Sequence, residues 1–191
     1  MNLILASGSP RRRELLGLYH IPFTVCSADI DETMDPLLPP QQEVARVSRE
    51  KALAVPAGEE DLVIAADTIV VCGGLTLGKP KDQADARRML TLLSGRDHQV
   101  MTGCTLRRGS QVESFTETTR IHFRPLSHRE IDAYVRSGEP MDKAGAYGIQ
   151  GGGALFCDWM EGDYYNVMGL PVCALGQALK KMAPELMEDT L

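Results

Sequence analysis

The sequence predicts an α/β fold in which helices flank a mixed central sheet, and three observations support this class. The 191 residues fit one domain with a substantial core, and 43% hydrophobic with 24% charged residues is ordinary for a globular protein. Helix-period and strand-period patterns alternate along the chain in mixed order. No internal repeat, low-complexity segment or linker divides the chain. We therefore expect one domain over residues 1–183 and a frayed C-terminal tail over residues 184–191.

The amino-terminal pattern predicts a short buried strand over residues 3–6, a tight loop over residues 7–9 and then a helix. Ser9 suits the N-cap and Pro10 the first helical position. Arg11, Arg12 and Arg13 follow in the first turn, where the helix end is already partly positive and each uncompensated cation costs roughly 0.3–1 kcal/mol. Backbone N–H groups, serines and guanidinium groups together favour a bound phosphate, and a capped surface helix with solvated arginines is the alternative.

Local patterns divide the remaining chain into helices, strands and turns. Apolar residues at helical spacing predict the helices, and β-branched and apolar runs predict the strands. Asp82 and a capping box at Ser127 predict two helix starts, and Gly95 and Gly138 predict the corresponding ends. In chain order we expect a helix over 41–55, a strand over 62–71, a hairpin turn at 73–74, a helix over 82–93, a hairpin of strands over 98–107 and 111–123, a helix over 127–135, a glycine-rich loop over 142–153, a hairpin over 155–167 and a helix over 171–182.

Charge, cysteine content and hydropathy exclude several classes of protein. The net charge of −6 disfavours nucleic-acid binding through a general basic field. The five cysteines are widely spaced and include no Cys-x-x-Cys pair, so neither a disulfide framework nor a zinc site is expected. The longest apolar run, over residues 62–72, is interrupted by Asp67 and is too short to span a membrane. Since no signal-peptide pattern is visible, we expect a cytoplasmic protein without membrane or nucleic-acid partners.

Asp67 is the second informative feature, because it lies in an apolar strand on the same predicted face as its hydrophobic neighbours. An unpaired carboxylate there would be strongly destabilising, so it needs a cation, a metal ion or a position in a cleft. A structural ion pair with Lys51 or Lys79 is one interpretation. The other is a site for a hard cation, Mg²⁺ or Mn²⁺, completed by the acidic group Asp29, Asp31 and Glu32.

Two glycine-containing segments match nucleotide-binding loops only in part. Residues 73–79 have the glycine and lysine spacing of a P-loop, but Pro80 replaces the required Ser or Thr and disfavours a helix start at Lys79. Two interpretations of Lys79 therefore remain, a contact with phosphate and an ordinary surface lysine. The glycines over residues 145–153 lack the dinucleotide-binding spacing. Among them, Gln150 carries an amide that can pair with the O4 and N3–H edge of uracil or thymine, and a solvated loop side chain is the alternative.

Seven short segments occur in the order typical of one enzyme family. They are Ala6-Ser-Gly-Ser-Pro-Arg-Arg-Arg-Glu-Leu-Leu16, Glu50-Lys-Ala52, Ala66-Asp-Thr68, Gly78-Lys-Pro80, Leu93-Ser-Gly95, Asp142-Lys-Ala-Gly-Ala-Tyr-Gly-Ile-Gln-Gly151 and Val167-Met-Gly-Leu-Pro171. Through them the chain closely resembles the Maf family of nucleoside triphosphate pyrophosphatases over residues 3–182. The resemblance implies a single Maf-type α/β domain, a fold related to that of inosine triphosphate pyrophosphatases, and a cytoplasmic, homodimeric enzyme.

The resemblance also implies roles for individual residues. The aspartate that matches Asp67 is the family's proposed proton acceptor, and the glutamate that matches Glu32 is associated with catalysis and the metal, so both are expected metal ligands. Arg11, Thr68 and Gln150 match three specificity positions of the branch that acts on dTTP and UTP, whereas the branch that acts on 7-methyl-GTP has Trp, Gln and Glu there. The residues expected to surround the phosphates are Ser7, Ser9, Arg11, Arg12, Lys51 and Lys79.

These observations predict hydrolysis of dTTP or UTP between the α- and β-phosphates, with modified pyrimidine triphosphates as further candidate substrates. Asp67 would activate water directly or through Mg²⁺ or Mn²⁺, and the cations would hold the polyphosphate. The alternative is a nucleotide-sensing regulator without turnover, for example of cell division. A sensor has no use for a carboxylate beside phosphates, so release of pyrophosphate distinguishes the two.

Overall fold

A computed structural model of the chain describes residues 1–27, 29–35 and 37–188. In this part of the chain the strands are β1 (Leu3–Leu5), β2 (Phe23–Val25), β3 (Leu62–Cys72), β4 (Leu75–Leu77), β5 (Asp97–Arg108), β6 (Gln111–Phe123) and β7 (Cys157–Glu161). They form a seven-stranded sheet in the order β2-β1-β3-β5-β6-β7, and β4 pairs with β3. β1 is parallel to β2 and β3, whereas the β3–β4 and β6–β7 pairs are antiparallel. The sheet is therefore mixed, as predicted.

The helices of the described chain are α1 (Pro10–Gly17), α2 (Pro40–Ala54), α3 (Gln83–Leu93), α4 (His128–Arg136), α5 (Tyr164–Met168) and α6 (Val172–Met182). Their starts follow the capping signals in the sequence. Asp82 caps α3 by accepting a hydrogen bond from the backbone N–H of Asp85, and Ser127 and Glu130 form the expected capping box of α4. Every helix among the described residues is too short or too polar to cross a bilayer.

The chain divides into two compact units. The first contains Met1–Asp67, Thr102–Glu117 and the C-terminal segment from Gly169, and the second contains Thr68–Met101 and Thr118–Met168. Each unit has its own apolar cluster. The first cluster is centred on buried residues of β1, α2 and β3, and the second on residues of α3, α4, β6 and the loop that follows α4. The predicted boundary at residue 183 stays a prediction.

The predicted hairpin over residues 155–167 is wrong. Only its first part is a strand, β7, and this strand pairs with β6, where Trp159 lies opposite His122. The second part is the short helix α5. Within the second unit the buried amide of Asn166 donates hydrogen bonds to the carbonyl oxygen of Val100 and the hydroxyl of Thr119, both at 3.0 Å. The alternating pattern indicated that the two halves of this segment pair with each other. Instead, the first half pairs with the distant strand β6, and the second half is held by the buried hydrogen bonds of Asn166.

The first residues of the predicted tail are in contact with the first unit. Pro184–Leu186 forms a 3-10 turn. Arg108 of β5 donates to the carbonyl oxygen of Met182 at 3.3 Å and to Glu185 at 2.8 Å, which holds this turn in the first unit. Residues 189–191 of the predicted tail lie outside the described residues.

Candidate active site

The loop between β1 and α1 has the features expected of an anion site. The buried hydroxyl of Ser7 accepts a hydrogen bond from the backbone N–H of Ser9 at 3.2 Å, which shapes the tight turn. α1 begins at Pro10, and within the described chain the Ser9 side chain makes no capping hydrogen bond. An open depression of about 520 Å³ lies over this loop and the start of α1, with Arg13 also in its wall. Backbone N–H groups at a bare helix start favour a bound anion.

Arg12 joins this loop to a distant segment of the same unit. Its Nε donates to the carbonyl oxygen of Gly169 at 2.8 Å, and its Nη1 donates to Ser7 Oγ at 3.3 Å. Burial lowers the pKa of Arg12 below its ordinary value, while the charge of Asp67 raises it. Arginine stays protonated despite such a shift, because its ordinary pKa is far above neutrality. Arg12 thus holds two parts of the first unit together, whereas the sequence predicted only a phosphate-binding or solvated arginine.

Lys51, Asp67 and Glu32 form a cluster of mixed charge in the first unit. Lys51 lies on α2, Asp67 in β3, and Glu32 in the segment between β2 and α2. The ammonium group of Lys51 is 2.7 Å from Asp67 Oδ1 and 3.0 Å from Glu32 Oε1. The side chains of Lys51 and Asp67 are only 13% and 15% exposed, whereas Glu32 is 55% exposed. The structural ion pair considered for Asp67 is therefore present with Lys51, a residue that the family resemblance expects beside the phosphates.

Two residues that the sequence analysis missed hold the segment that carries Glu32. Glu43 of α2 is only 1% exposed, and it accepts hydrogen bonds from the Asp35 backbone N–H at 2.9 Å and from Arg46 at 2.5 and 3.0 Å. Arg46 in turn donates to the carbonyl oxygen of Thr33 at 3.0 Å. The hydrogen bond from Arg46 is the main cause that lowers the pKa of Glu43 below its ordinary value. The backbone on the C-terminal side of Glu32 is thereby attached to the helix that carries Lys51.

A signal for this pair was present in the sequence. Glu43, Arg46 and Glu50 are spaced three and four residues apart, which is typical of ion pairs along one side of a helix. Arg46 indeed contacts both carboxylates, with Glu50 Oε1 at 2.6 Å. The spacing alone, however, gives no indication that Glu43 is buried or that the pair binds a distant backbone segment.

The carboxylates of Asp67 and Glu32 fit the donor type that a divalent cation requires. Mg²⁺ prefers oxygen ligands and commonly takes one or two from carboxylates and the others from substrate phosphates and water. Asp67 and Glu32 each present one oxygen to the same Lys51 ammonium group. Among the described residues, no group of three or more His, Cys, Asp or Glu side chains is placed to hold a metal ion. The cluster therefore fits a cation whose coordination the substrate completes, with Lys51 competing for the same oxygens.

Thr68, Lys79 and Gln150 lie in the second unit. Thr68 is half-buried in β3, whereas Lys79 and Gln150 are exposed in loops. The predicted hairpin turn after β3 is present, with positive φ values at both glycines, Gly73 and Gly74. Lys79 precedes α3 by several residues and does not begin a helix, in agreement with the exclusion of a P-loop.

Comparison with known proteins supports the family resemblance that the ordered motifs indicate. A family model described as Maf-like protein matches residues 2–182. A dTTP/UTP pyrophosphatase from Halalkalibacterium halodurans is 53% identical over 179 residues, which cover 93% of this chain and 94% of the relative. A dTTP/UTP pyrophosphatase from Bacillus cytotoxicus is 48% identical over 179 residues, with the same coverage.

The fold is also similar to that of a solved structure. A HAM1 protein from Coxiella burnetii superposes with a TM-score of 0.52 at 14% identity, covering 95% of this chain and 99% of that one. At this identity the likeness concerns the fold alone, and it supports the predicted α/β class. Since the family model and the near full-length relatives agree with the ordered motifs, the chain belongs to the Maf-like protein family.

Proposed function

We propose that this protein is a pyrophosphatase that hydrolyses dTTP and UTP to the nucleoside monophosphate and pyrophosphate. The observation that carries the proposal is the cluster of Lys51, Asp67 and Glu32, in which a mostly buried carboxylate is paired with an ammonium group that suits a polyphosphate. Two relatives that carry this activity in their names align with more than nine-tenths of the chain. A carboxylate would only repel phosphates in a simple binding protein, so its place in this cluster favours turnover over sensing.

Binding begins with the charges of the first unit. The guanidinium groups of Arg11 and Arg12 and the ammonium group of Lys51 would neutralise the phosphates, and the loop over residues 7–9 would donate backbone N–H groups. In the free protein the Lys51 ammonium group contacts two carboxylates, and its single positive charge neutralises only one of them. A bound triphosphate adds oxygens that compete for this ammonium group. Binding therefore weakens the hold of Lys51 on Asp67 and makes the carboxylate available as a base.

The chemical step consists of attack by water on the α-phosphorus. Asp67 accepts the proton of the attacking water, the bond between the α-phosphorus and the bridging oxygen breaks, and pyrophosphate leaves with the electron pair. The cations stabilise the negative charge that develops on the leaving group and on the non-bridging oxygens. Asp67 and Glu32 would hold a Mg²⁺ or Mn²⁺ ion, which when bound would neutralise phosphate charge and lower the pKa of bound water.

The residues of the second unit have the roles that the family resemblance implies. The resemblance implies that Lys79 contacts phosphate and that Arg11, Thr68 and Gln150 are specificity positions for the base. The resemblance likewise supports a cytoplasmic homodimer that acts on free nucleotides and not on nucleic acids. Analytical ultracentrifugation tests the oligomeric state directly, and a monomer at micromolar concentration would contradict it.

Hydrolysis in ¹⁸O-labelled water tests the proposed reaction most directly. A panel of dTTP, UTP, CTP, GTP, ATP and 7-methyl-GTP is incubated with and without Mg²⁺, and both phosphorus products are analysed by mass spectrometry. We expect pyrophosphate and monophosphate in equal amounts, with dTTP and UTP preferred and the label in the monophosphate. Label in pyrophosphate would place the attack at the β-phosphorus. Binding of nucleotides without turnover would favour the nucleotide-sensing alternative.

A further inference from the structure

The glycine-rich loop that carries Gln150 is held on both sides of this residue. The backbone N–H of Gly148 donates to the hydroxyl of Tyr134 at 3.0 Å, and the N–H of Gly152 donates to Glu139 Oε2 at 3.0 Å. These two amides are each two positions away from Gln150 in the sequence. The Tyr134 hydroxyl donates in turn to Glu139 Oε1 at 2.8 Å, which links the two contacts. One tyrosine and one glutamate thus fix the loop at two points around an exposed glutamine.

The side chains of this clamp, Tyr134 and Glu139, are themselves fixed. Tyr134 lies on α4, is only 7% exposed and packs edge-to-face on Phe156. Burial raises the pKa of Tyr134 above its ordinary value, so its hydroxyl keeps the proton that it donates to Glu139. The 3-10 turn that carries Glu139 is tied to Lys143, whose ammonium group donates to the Glu139 carbonyl oxygen at 2.7 Å. Both oxygens of the Glu139 carboxylate accept hydrogen bonds, Oε1 from the Tyr134 hydroxyl and Oε2 from the Gly152 N–H.

Three glycines of the loop lie in close contact with neighbouring groups. A Cβ atom at Gly151 would overlap the carboxylate of Glu139, and one at Gly148 would lie 2.7 Å from the Cε atom of Lys143. A Cβ atom at Gly153 would lie 2.7 Å from the carbonyl oxygen of Gly148. A side chain at Gly151 would therefore displace the carboxylate of the clamp, and one at Gly153 would displace loop backbone, whereas Gln150 itself is exposed.

We propose that Tyr134 and Glu139 are positioning residues for base selection, which act by holding the loop that presents Gln150. The inference rests on the proposed function and extends it to residues that do not contact the nucleotide. An amide has a donor and an acceptor side by side, and it matches uracil in one order and cytosine in the reverse order. Discrimination between UTP and CTP requires that the amide lie at hydrogen-bonding distance from the base edge, and the clamp sets the position of the backbone that carries it. A loosened loop would weaken this contact and with it the preference for UTP over CTP.

Two conservative variants test the proposal. Tyr134→Phe removes the hydroxyl and keeps the ring, and Glu139→Gln keeps the shape but replaces one acceptor with an amide donor. We expect each variant to lower the ratio of kcat/KM for UTP to that for CTP by about tenfold, the effect of one imperfect paired contact to a base. Tyr164→Phe and Glu161→Gln are matched controls at exposed positions of the same unit and should leave the ratio unchanged.

A double-mutant cycle distinguishes positioning from general stabilisation. If Glu139 acts through Gln150, the change Glu139→Gln should have no further effect on the ratio in a Gln150→Ala background. Hydrogen exchange of the Gly148 and Gly152 amides, followed by NMR, should accelerate in both clamp variants while global unfolding stays cooperative.

The outcomes separate the inference from the proposed function. A wild-type protein that hydrolyses no pyrimidine triphosphate overturns the proposed function and the inference with it. If the wild type selects UTP but both clamp variants keep the wild-type ratio, or lose activity equally on every nucleotide, the inference alone is wrong. If Glu139→Gln fails to fold, the Tyr134→Phe variant decides by itself, because its ring still packs on Phe156.

Discussion

Replacing Asp67 by Asn should reduce turnover far more than it reduces stability. The substitution keeps the size of the side chain and one acceptor oxygen, but it removes the charge that Lys51 contacts at 2.7 Å. Both side chains retain some exposure, and Lys51 keeps its contact with Glu32 at 3.0 Å. The substitution should therefore lower the free energy of unfolding by less than the loss of one partner of a fully buried ion pair does. We expect a decrease of about 1–2 kcal/mol.

The catalytic cost of the same substitution should be larger. Loss of a general base typically lowers the rate by roughly 10²–10⁴-fold, which corresponds to about 3–5 kcal/mol of activation free energy. Urea unfolding measures the first quantity and pyrophosphate release from dTTP the second. Asp132→Asn is the matched control, because Asp132 also pairs with a basic side chain, Arg87, at 2.6 Å but lies outside the cluster. A folded Asp67→Asn protein with wild-type turnover would refute the assignment of Asp67 as the base.

Three further substitutions test the packing around the candidate site. Arg12→Ala should destabilise the free protein by about 1.5–3 kcal/mol in urea unfolding, because it removes the donor to the Gly169 carbonyl. Glu43→Gln should cost about 1.5–3 kcal/mol at pH 7, since it removes the charge that Arg46 contacts. The contact with Arg46 lowers the pKa of Glu43 in the folded state, so this stabilisation is present above the carboxyl group's ordinary pKa and disappears as the pH falls through the lowered value. Gly103→Ala should destabilise by about 1–3 kcal/mol, because the new Cβ would overlap the backbone of α2.

Neighbouring positions provide the controls for these variants. Arg13→Ala removes an exposed arginine from the same helix turn and should change stability little, or increase it slightly by relieving charge at the helix start. Gly17→Ala is the control for Gly103→Ala, because its methyl group would meet no atom within 4 Å apart from its own helix backbone and chain neighbours. Equal effects of Arg12→Ala and Arg13→Ala would contradict the structural role of Arg12. A loss from Glu43→Gln that stays constant down to acidic pH would show that its charge is not what stabilises the segment.

Much of the fold could be predicted from the sequence, because the responsible interactions are local. The starts of α3 and α4 follow from side chains that bond to backbone groups three residues ahead, at Asp82 and Ser127. The turn after β3 follows from two consecutive glycines that accept positive φ values. The segment over residues 155–167, whose strand pairs with a distant one, was predicted wrongly. The pairing of β7 with β6 depends on residues nearly forty positions away, and no local pattern contains that information.

The candidate site divides in the same way. Asp67 stands out from the sequence by itself, because a carboxylate in an apolar strand requires an explanation, and the ordered motifs identify the family. The sequence left several partners open for Asp67, and only the tertiary structure shows which of them is present. Asp67 contacts Lys51, and Lys51 also contacts Glu32. Glu43 attaches the segment that carries Glu32 to α2.

The clamp of Tyr134 and Glu139 on the Gln150 loop was likewise invisible in the sequence, although its glycines were noted. The physical reason is that a residue's type and its immediate neighbours determine local conformation. The partners of a buried charge or amide come from segments that are distant in the sequence. The packing of the whole core determines which of these segments lie next to each other.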